Sequence, residues 1–305
     1  MTQKTLSLRA WSELLLLALI WGASFLSTAL ILREVDYLSA VALRLFGAMV
    51  ALWAVVLIRR VPVPRSPRIW AAFAVMGLLN NAIPFTLITW AQQHIPTGLT
   101  GILNASTAIF GVLIAALVFA DERLTRRKLT GITLGFAGAA VVIGPSALAQ
   151  IDMTSLAQLA MLGTAISYGL AGSWARARLG GLPPQMAAAG MLSMSTLIMI
   201  PVALATEGVP DLAFSATTWM ALFYLSIIAT AGAYLLYYRV LAMAGAGNLL
   251  LVTLLLTPVA ILLGALVLGE DLPPRAYGGF LLLALGLLVI DGRVLRLAGW
   301  NRNRV

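Results

Sequence analysis

A chain of 305 residues that is 61% hydrophobic and only 10% charged, with a mean hydropathy of +0.97, is too apolar for a water-soluble domain and reads as an integral membrane protein. Its formal charge of +9 suits loops beside anionic lipid headgroups and gives no footing to a nucleic-acid partner. With no cysteine, disulfides, thiolate metal sites and cysteine nucleophiles are excluded.

Ten continuous apolar runs, each long enough to cross roughly 30 Å of hydrocarbon as a helix, are expected at 11–32, 37–58, 69–90, 98–120, 129–147, 154–174, 184–205, 216–238, 247–268 and 275–292. None alternates apolar with polar residues, which excludes a spanning barrel. The first follows Lys4 and Arg9 in the manner of a secretory leader, but its apolar stretch runs on to Leu32 and nine more spans follow, so it reads as a retained helix. It carries Trp21, Ser24 and Thr28. The second span holds Arg44, the one charge within a span, about six residues or roughly 9 Å from its outer end. Arg44 can bind a substrate carboxylate, snorkel toward Glu34 or Asp36, or anchor a helix terminus.

In the third span, within "GLLNNAIPFTLITWAQQHIPTG", helical spacing puts Gly77, Asn81, Pro84, Ile88 and Gln92 on one face. Pro84 lacks the amide that the Asn80 carbonyl would accept, so a neighbour or water must satisfy that carbonyl. Asn81 and Pro84 are expected in a cavity wall, and Gln92, Gln93 and His94 at an outer mouth with no special function. The fourth span carries Asn104, Ser106 and Thr107. The fifth contributes Gly131, Gly135 and Gly138 as small-residue contacts for Gly279 and Gly286 of the tenth. Further membrane-depth polarity lies at Thr164, Ser167 and Tyr168 in the sixth, at Ser226, Thr230, Tyr234, Tyr237 and Tyr238 in the eighth, and at Asn248, Thr253, Thr257 and Pro258 in the ninth. A single Ser or Thr is most simply helix–helix glue worth about 1 kcal/mol. Where polarity coincides with a broken backbone, at Asn81–Pro84 and Thr257–Pro258, a cavity is the better account.

Alternating the loops between two sides puts 17 of the 20 basic residues on one side and only Arg33 and Arg275 on the other. The positive-inside rule then places both termini in the cytoplasm. At a constant offset of 148 residues, Glu122 meets Glu270, Leu124 meets Leu272, Arg127 meets Arg275, Gly131 meets Gly279 and Gly138 meets Gly286. Two five-helix halves are expected, 1–147 and 148–305; five being odd, the second is inverted, as in secondary transporters.

The "WG" of the first span, Arg44 in "ALRLFGAMVAL", the "TP" of "LLLTPVAILLGALVLGE" and the paired "E-x-L…G…G" segments resemble the drug/metabolite transporter superfamily, in its EamA branch of ten-helix exporters. The likeness extends over essentially the whole chain, departing where "NASTAIF" stands in place of a usual proline in the fourth span. It implies an all-α fold and metabolite export across the bacterial inner membrane, with amino-acid and aromatic amino-acid exporters among the relatives.

The expected substrate-binding residues are Trp21, Asn81, Asn104, Thr107, Tyr168, Tyr234, Tyr238 and Thr257, with Pro84 and Pro258 as helix breaks and Arg44 as a possible charge contact. No carboxylate lies deep in a span, Glu13 being at an entrance, so proton-coupled cation exchange lacks its usual group. No phosphate-binding loop is present, and no metal or cofactor is called for. Facilitated export of neutral or aromatic amino acids by a monomer is the expectation; efflux of hydrophobic drugs, sugars or nucleosides by a proton-coupled antiporter is the alternative. A membrane enzyme would need nucleophiles or metal ligands that this chain, with one histidine, does not cluster.

Overall fold

The computed structural model describes residues 6–95, 97–152, 155–256, 258–259 and 274–291, and all regular structure among them is helical. The first expected span forms as α1 (Leu8–Gly22) and α2 (Ser24–Ile31), and the second as α3 (Tyr37–Ile58). The third is a composite: α4 (Pro67–Gly77) passes into a π-helical segment, π1 (Leu78–Ala82), and then α5 (Ile83–Ala91). The fourth divides at Ser106 into α6 (Thr97–Ala105) and α7 (Thr107–Val118), so it is interrupted without the proline that the resemblance led one to look for. Then come α8 (Arg126–Ile143), the short α9 (Pro145–Leu148), α10 (Leu156–Arg178) and α11 (Pro184–Thr206). The eighth span repeats the composite pattern as α12 (Ala216–Phe223), π2 (Tyr224–Gly232) and α13 (Ala233–Ala244). The ninth opens with α14 (Ala246–Leu249), and α15 (Pro274–Asp291) occupies the tenth position.

Among the described residues, six stretches are long and apolar enough to cross a bilayer: Leu8–Ile31, Tyr37–Ile58, Pro67–Ala91, Leu99–Val118, Pro184–Thr206 and Ala216–Ala244. The remaining helices are more polar or shorter for visible reasons. Helix α8 opens on Arg126, Arg127 and Lys128, while α10 carries Gln158, Thr164, Ser167 and Tyr168 and ends on Arg176 and Arg178. Large apolar side chains such as Leu57, Leu117, Leu197, Phe223 and Leu281 stand exposed on the helix exteriors. Such a surface is untenable in water and ordinary against acyl chains.

Helix ends are tied by side chains rather than left open. The Oγ of Ser7 accepts the Ala10 amide at 3.1 Å and starts α1. Asp36 makes no side-chain cap at the start of α3; instead Glu207, just past α11, accepts from the Leu38 amide (3.0 Å), the Ser39 amide (2.7 Å) and the Ser39 hydroxyl (2.8 Å). Ahead of α12, Glu34 accepts from the Ser215 amide (2.8 Å) and hydroxyl (2.6 Å). The Ser215 hydroxyl, then its amide, hold the Glu34 carboxyl below its ordinary value. A lowered folded-state value means that this tie contributes at neutral pH and weakens as pH falls through it. At the other helix ends, Arg176 pairs with Glu122 (2.8 Å) and Asp121, Lys128 reaches Glu122 at 3.6 Å, and Arg239 and Arg9 share Glu13.

The most extensive helix pairing joins α8 to α15. It rests on glycine, as the sequence suggests: a Cβ on Gly138 would lie 2.6 Å from the Leu283 nitrogen and 2.8 Å from the Gly279 oxygen, and one on Gly131 would lie 2.7 Å from the Gly286 oxygen. Gly131 opposes Gly286 while Gly138 opposes Gly279, so the two helices run antiparallel. Gly135 joins the same contact, a Cβ on Gly286 lying 2.6 Å from its nitrogen, and a Cβ on Gly135 itself would meet the Leu254 side chain at 2.9 Å. Replacing Gly138 by leucine should force these backbones apart at a cost of about 1–3 kcal/mol. Gly278 on the same helix faces open space, so Gly278→Leu is expected to be tolerated. Fluorescence-detected size exclusion of both variants checks this: a monodisperse Gly138→Leu protein would count against the close contact.

Candidate functional site

The site grows out of the two π segments. In π1 the Ile83 amide bonds back to the Leu78 carbonyl, five residues away, which releases the Leu79 carbonyl. Ser167 of α10 donates its hydroxyl to that oxygen at 2.7 Å. Pro84, in the first turn of α5, has no amide for the Asn80 carbonyl, and the Tyr234 hydroxyl reaches it at 3.3 Å. In π2 the Ala233 amide bonds the Ile228 carbonyl, and the released Ala229 carbonyl accepts from Trp21 Nε1 at 2.8 Å. Each freed carbonyl is thus met by a side chain from the other half of the sequence. Insertions of this kind recur at functional sites because they put unspent backbone polarity where a side chain or ligand can use it.

Between these segments lies a cavity of about 80 Å³, room for on the order of five to eight water molecules. Its wall is mainly aromatic and apolar, with Trp21, Phe25, Phe85, Tyr168, Tyr234 and Tyr237 beside Ile88, Leu250, Val252 and Leu256. Neutral polar groups enter from Ser24, Thr28, Asn80, Thr89, Gln92, Asn104 and Thr253, and the one charged residue is Arg44. Trp21, Tyr234 and Tyr237 interlock, with ring centroids 5.7–6.3 Å apart and the Tyr234–Tyr237 pair at 87°, an edge-to-face arrangement favoured by the ring quadrupoles.

Arg44 faces inward. Its Nε donates to Thr230 Oγ1 at 2.8 Å, and that hydroxyl donates onward to the Leu225 carbonyl at 2.7 Å. Its Cζ lies 3.7 Å from the Phe85 ring centroid, a cation–π contact. No carboxylate lies within ion-pairing distance of it among the described residues. The outward path toward Glu34 is not taken, since Glu34 is engaged by Ser215. Among the described residues the buried carboxylates are Glu13 and Glu122; both are ion-paired and neither lines the cavity.

Of the residues expected from sequence, Trp21, Asn104, Tyr168, Tyr234 and Arg44 line the cavity. Asn81 does not: it is wholly buried behind the wall, its Nδ2 donating to Ser195 Oγ (2.8 Å) and its Oδ1 accepting from the Tyr234 hydroxyl. The physical reason is π1, whose extra residue per turn rotates the chain beyond it. The face read as continuous therefore splits, with Gly77 and Asn81 turned to α11 and Ile88 and Gln92 to the cavity. Tyr238 also lies behind the wall, its hydroxyl 3.4 Å from Met191 Sδ, while Tyr237 takes the lining position. Thr107 is fully buried away from the lining, its hydroxyl unpartnered. Pro84 acts through the backbone and not as wall, Pro258 is buried, and Thr257 lies outside the described residues. Gln92, placed from sequence at the outer mouth with no special function, is part of the wall; its shared face with Ile88 was the available signal.

A sequence profile of the EamA-like transporter family matches residues 11–144 and again residues 155–291. The chain belongs to this family. It is therefore a multi-pass membrane transporter and not an enzyme. A protein of Salmonella typhimurium named "Probable amino-acid metabolite efflux pump" is 27% identical over 293 residues, 90% of this chain and 92% of that one. Another, of Streptantibioticus cattleyicolor, named "Probable terminal-alkyne amino-acid exporter", is 27% identical over 222 residues, 73% of each chain. A solved crystal structure superposes with a TM-score of 0.74 at 18% identity, over 92% of this chain and 98% of its own, and shares the fold.

Tyr234 shares its single hydroxyl proton between the Asn81 side chain, the nearer acceptor, and the Asn80 carbonyl at 3.3 Å. Tyr234→Phe is expected to leave both short of a donor and to lower stability by about 1–3 kcal/mol, read as a fall in the melting temperature of the purified protein by intrinsic fluorescence. An unchanged melt would mean that water replaces the hydroxyl.

Proposed function

We propose that this EamA-family member is a secondary transporter that exports small metabolites, neutral or aromatic amino acids first among them, from the bacterial cytoplasm across the inner membrane. In this reading it has ten transmembrane helices in two inverted five-helix repeats, 1–147 and 148–305, and it works as a monomer with both termini in the cytoplasm. The twofold match of the family profile supports the duplication. The antiparallel glycine contact supports the inversion, because Gly131 and Gly279 exchange roles with Gly138 and Gly286 at the repeat offset.

The observation that carries the substrate reading is Arg44: a guanidinium without a carboxylate partner among the described residues, set in an aromatic and otherwise neutral cavity. A zwitterion supplies the missing carboxylate to Arg44, leaves an apolar side chain for the aromatic wall, and fits a space the size of several waters. The names of the two relatives, an amino-acid metabolite efflux pump and an amino-acid exporter, lean the same way. Transport is read as facilitative, by alternating access at the repeat interface. The rival, proton-coupled efflux of drugs, sugars or nucleosides, would need a carboxylate free to exchange its proton inside the cavity, whereas Glu13 and Glu122 are committed to arginine or lysine elsewhere.

Purified protein in liposomes is expected to carry amino acids at a rate that an imposed pH gradient leaves unchanged, and Arg44→Gln to reduce that flux at least about tenfold. Accumulation that requires the gradient would sink the facilitative reading. Full activity of Arg44→Gln would remove the carboxylate contact.

A further inference from the structure

Arg44 is held in place by the protein itself, and the residue that holds it lies in the second half of the sequence. Its Nε donates to Thr230 Oγ1 at 2.8 Å. Thr230 spends its own proton on the Leu225 carbonyl at 2.7 Å, five residues back along π2, so toward Arg44 the hydroxyl can only accept. A threonine in an α-helix reaches three or four residues back; the longer reach here belongs to the π turn. On the other side the Phe85 ring packs 3.7 Å from Cζ. Of the polar atoms of the guanidinium, Nη1 and Nη2 are left. Among the described residues neither has a hydrogen-bond partner, and neither is among the buried unpartnered atoms, so both open on the cavity that Arg44 lines.

The matching place in the first half shows what this crossing does as a plain brace. Asn81 and Thr230 lie 149 residues apart, as do Gly77 and Ser226, while Gly47 and Ser195 lie 148 apart. The contacts correspond: a Cβ on Gly47 would lie 3.0 Å from Ser226 Cβ, and one on Gly77 would lie 2.8 Å from Ser195 Oγ. Asn81 of π1 bonds Ser195 of α11, and Thr230 of π2 bonds Arg44 of α3, one turn from Gly47. The Asn81–Ser195 pair is neutral and both residues are fully buried. An amide and a hydroxyl therefore suffice to brace the crossing, whereas Arg44 brings two further donors to its counterpart.

We infer that Thr230 is a positioning residue for solute recognition: by taking Nε it aims the guanidinium so that a carboxylate is received end-on, between Nη1 and Nη2, and not side-on through Nε. The inference rests on the amino-acid reading above and adds to it the residue that orients the binding group. Because the arginine is ordered during folding, the solute does not have to order it.

The test compares wild-type protein with Thr230→Val, which keeps the branched shape and removes the hydroxyl, and with Thr230→Ser, which keeps the hydroxyl. Phenylalanine counterflow in proteoliposomes is measured against concentration, with phenylalaninamide, which lacks the carboxylate, as a competitor. Thr230→Val is expected to raise the half-saturating concentration of phenylalanine roughly tenfold, the effect of about one lost hydrogen bond, while the maximal rate holds, as when uniform binding is removed. Inhibition by phenylalaninamide should not change, and Thr230→Ser should restore the wild-type value. A half-saturating concentration that Thr230→Val leaves unmoved, an equal rise in Thr230→Ser, or an equal weakening of phenylalaninamide overturns the assignment. If Thr230→Val does not purify as folded protein, Thr230→Ala takes its place, and loss of the fold in both reveals a structural role and overturns it too. Wild-type vesicles that carry no neutral amino acid refute the amino-acid reading and this inference with it; vesicles that carry phenylalanine regardless of the Thr230 hydroxyl refute the inference alone.

Discussion

In hydrocarbon there is no water to take up a loose carbonyl, and the cavity is organised by how this chain meets that demand. The π turns at Leu78–Ala82 and Tyr224–Gly232 each release a carbonyl that an α-helix would have bonded internally. Ser167 closes one and Trp21 the other, while Tyr234 answers the carbonyl left open by Pro84. All three bonds run between the first and second halves of the sequence. The same bonds that satisfy the backbone therefore draw the aromatic residues to the centre, and the cavity is what remains between them.

This gives the two halves a different relation at the middle and at the ends. At the centre they meet through side chain to carbonyl bonds and through Arg44 to Thr230. The α8–α15 contact, by contrast, is backbone against backbone across glycines. At the ends, Glu207 on Ser39 and Glu34 on Ser215 close one set of termini, while Arg176 on Glu122 and Arg239 on Glu13 close the other. On the alternating-access reading proposed above, a rocking motion would exchange one set of ties for the other. These are hydrogen bonds and ion pairs near the ends of the helices, where water can replace them.

Much of this was legible in the sequence, and the part that was not has one physical source. Apolar runs give the positions of the helices, because length and composition decide what can cross a bilayer. The glycines of "GITLGFAG" and their partners give the closest contact, and Pro84 identifies Asn80 as the carbonyl in need of a donor. Helical periodicity then assigns Asn81 and Gln92 to one face, and here it fails, since it assumes 3.6 residues per turn and π1 departs from that between the two. Tyr237 and Tyr238 are adjacent aromatic residues just beyond π2 in the same way, and spacing alone does not say which one faces inward. The interruption at Ser106 has no proline to announce it; its hydroxyl bonds the Leu103 carbonyl instead, a local alternative open to any serine and so a weak signal in advance.

The electrostatics of the cavity follow from the same arrangement. A guanidinium can remain at membrane depth only if its field is spread, and Arg44 spreads it over the Phe85 face, the Thr230 oxygen and whatever fills the cavity. None of these neutralises it. An empty cavity must then hold water around the cation, whereas a bound carboxylate replaces that water with a charge-assisted pair. A cationic solute would meet repulsion with no compensating anion among the described residues, and an uncharged one would leave Arg44 desolvated and unpaired. On the amino-acid reading proposed above, the wall would discriminate by charge before shape and would favour a solute that brings its own negative group on an otherwise compact, partly apolar body.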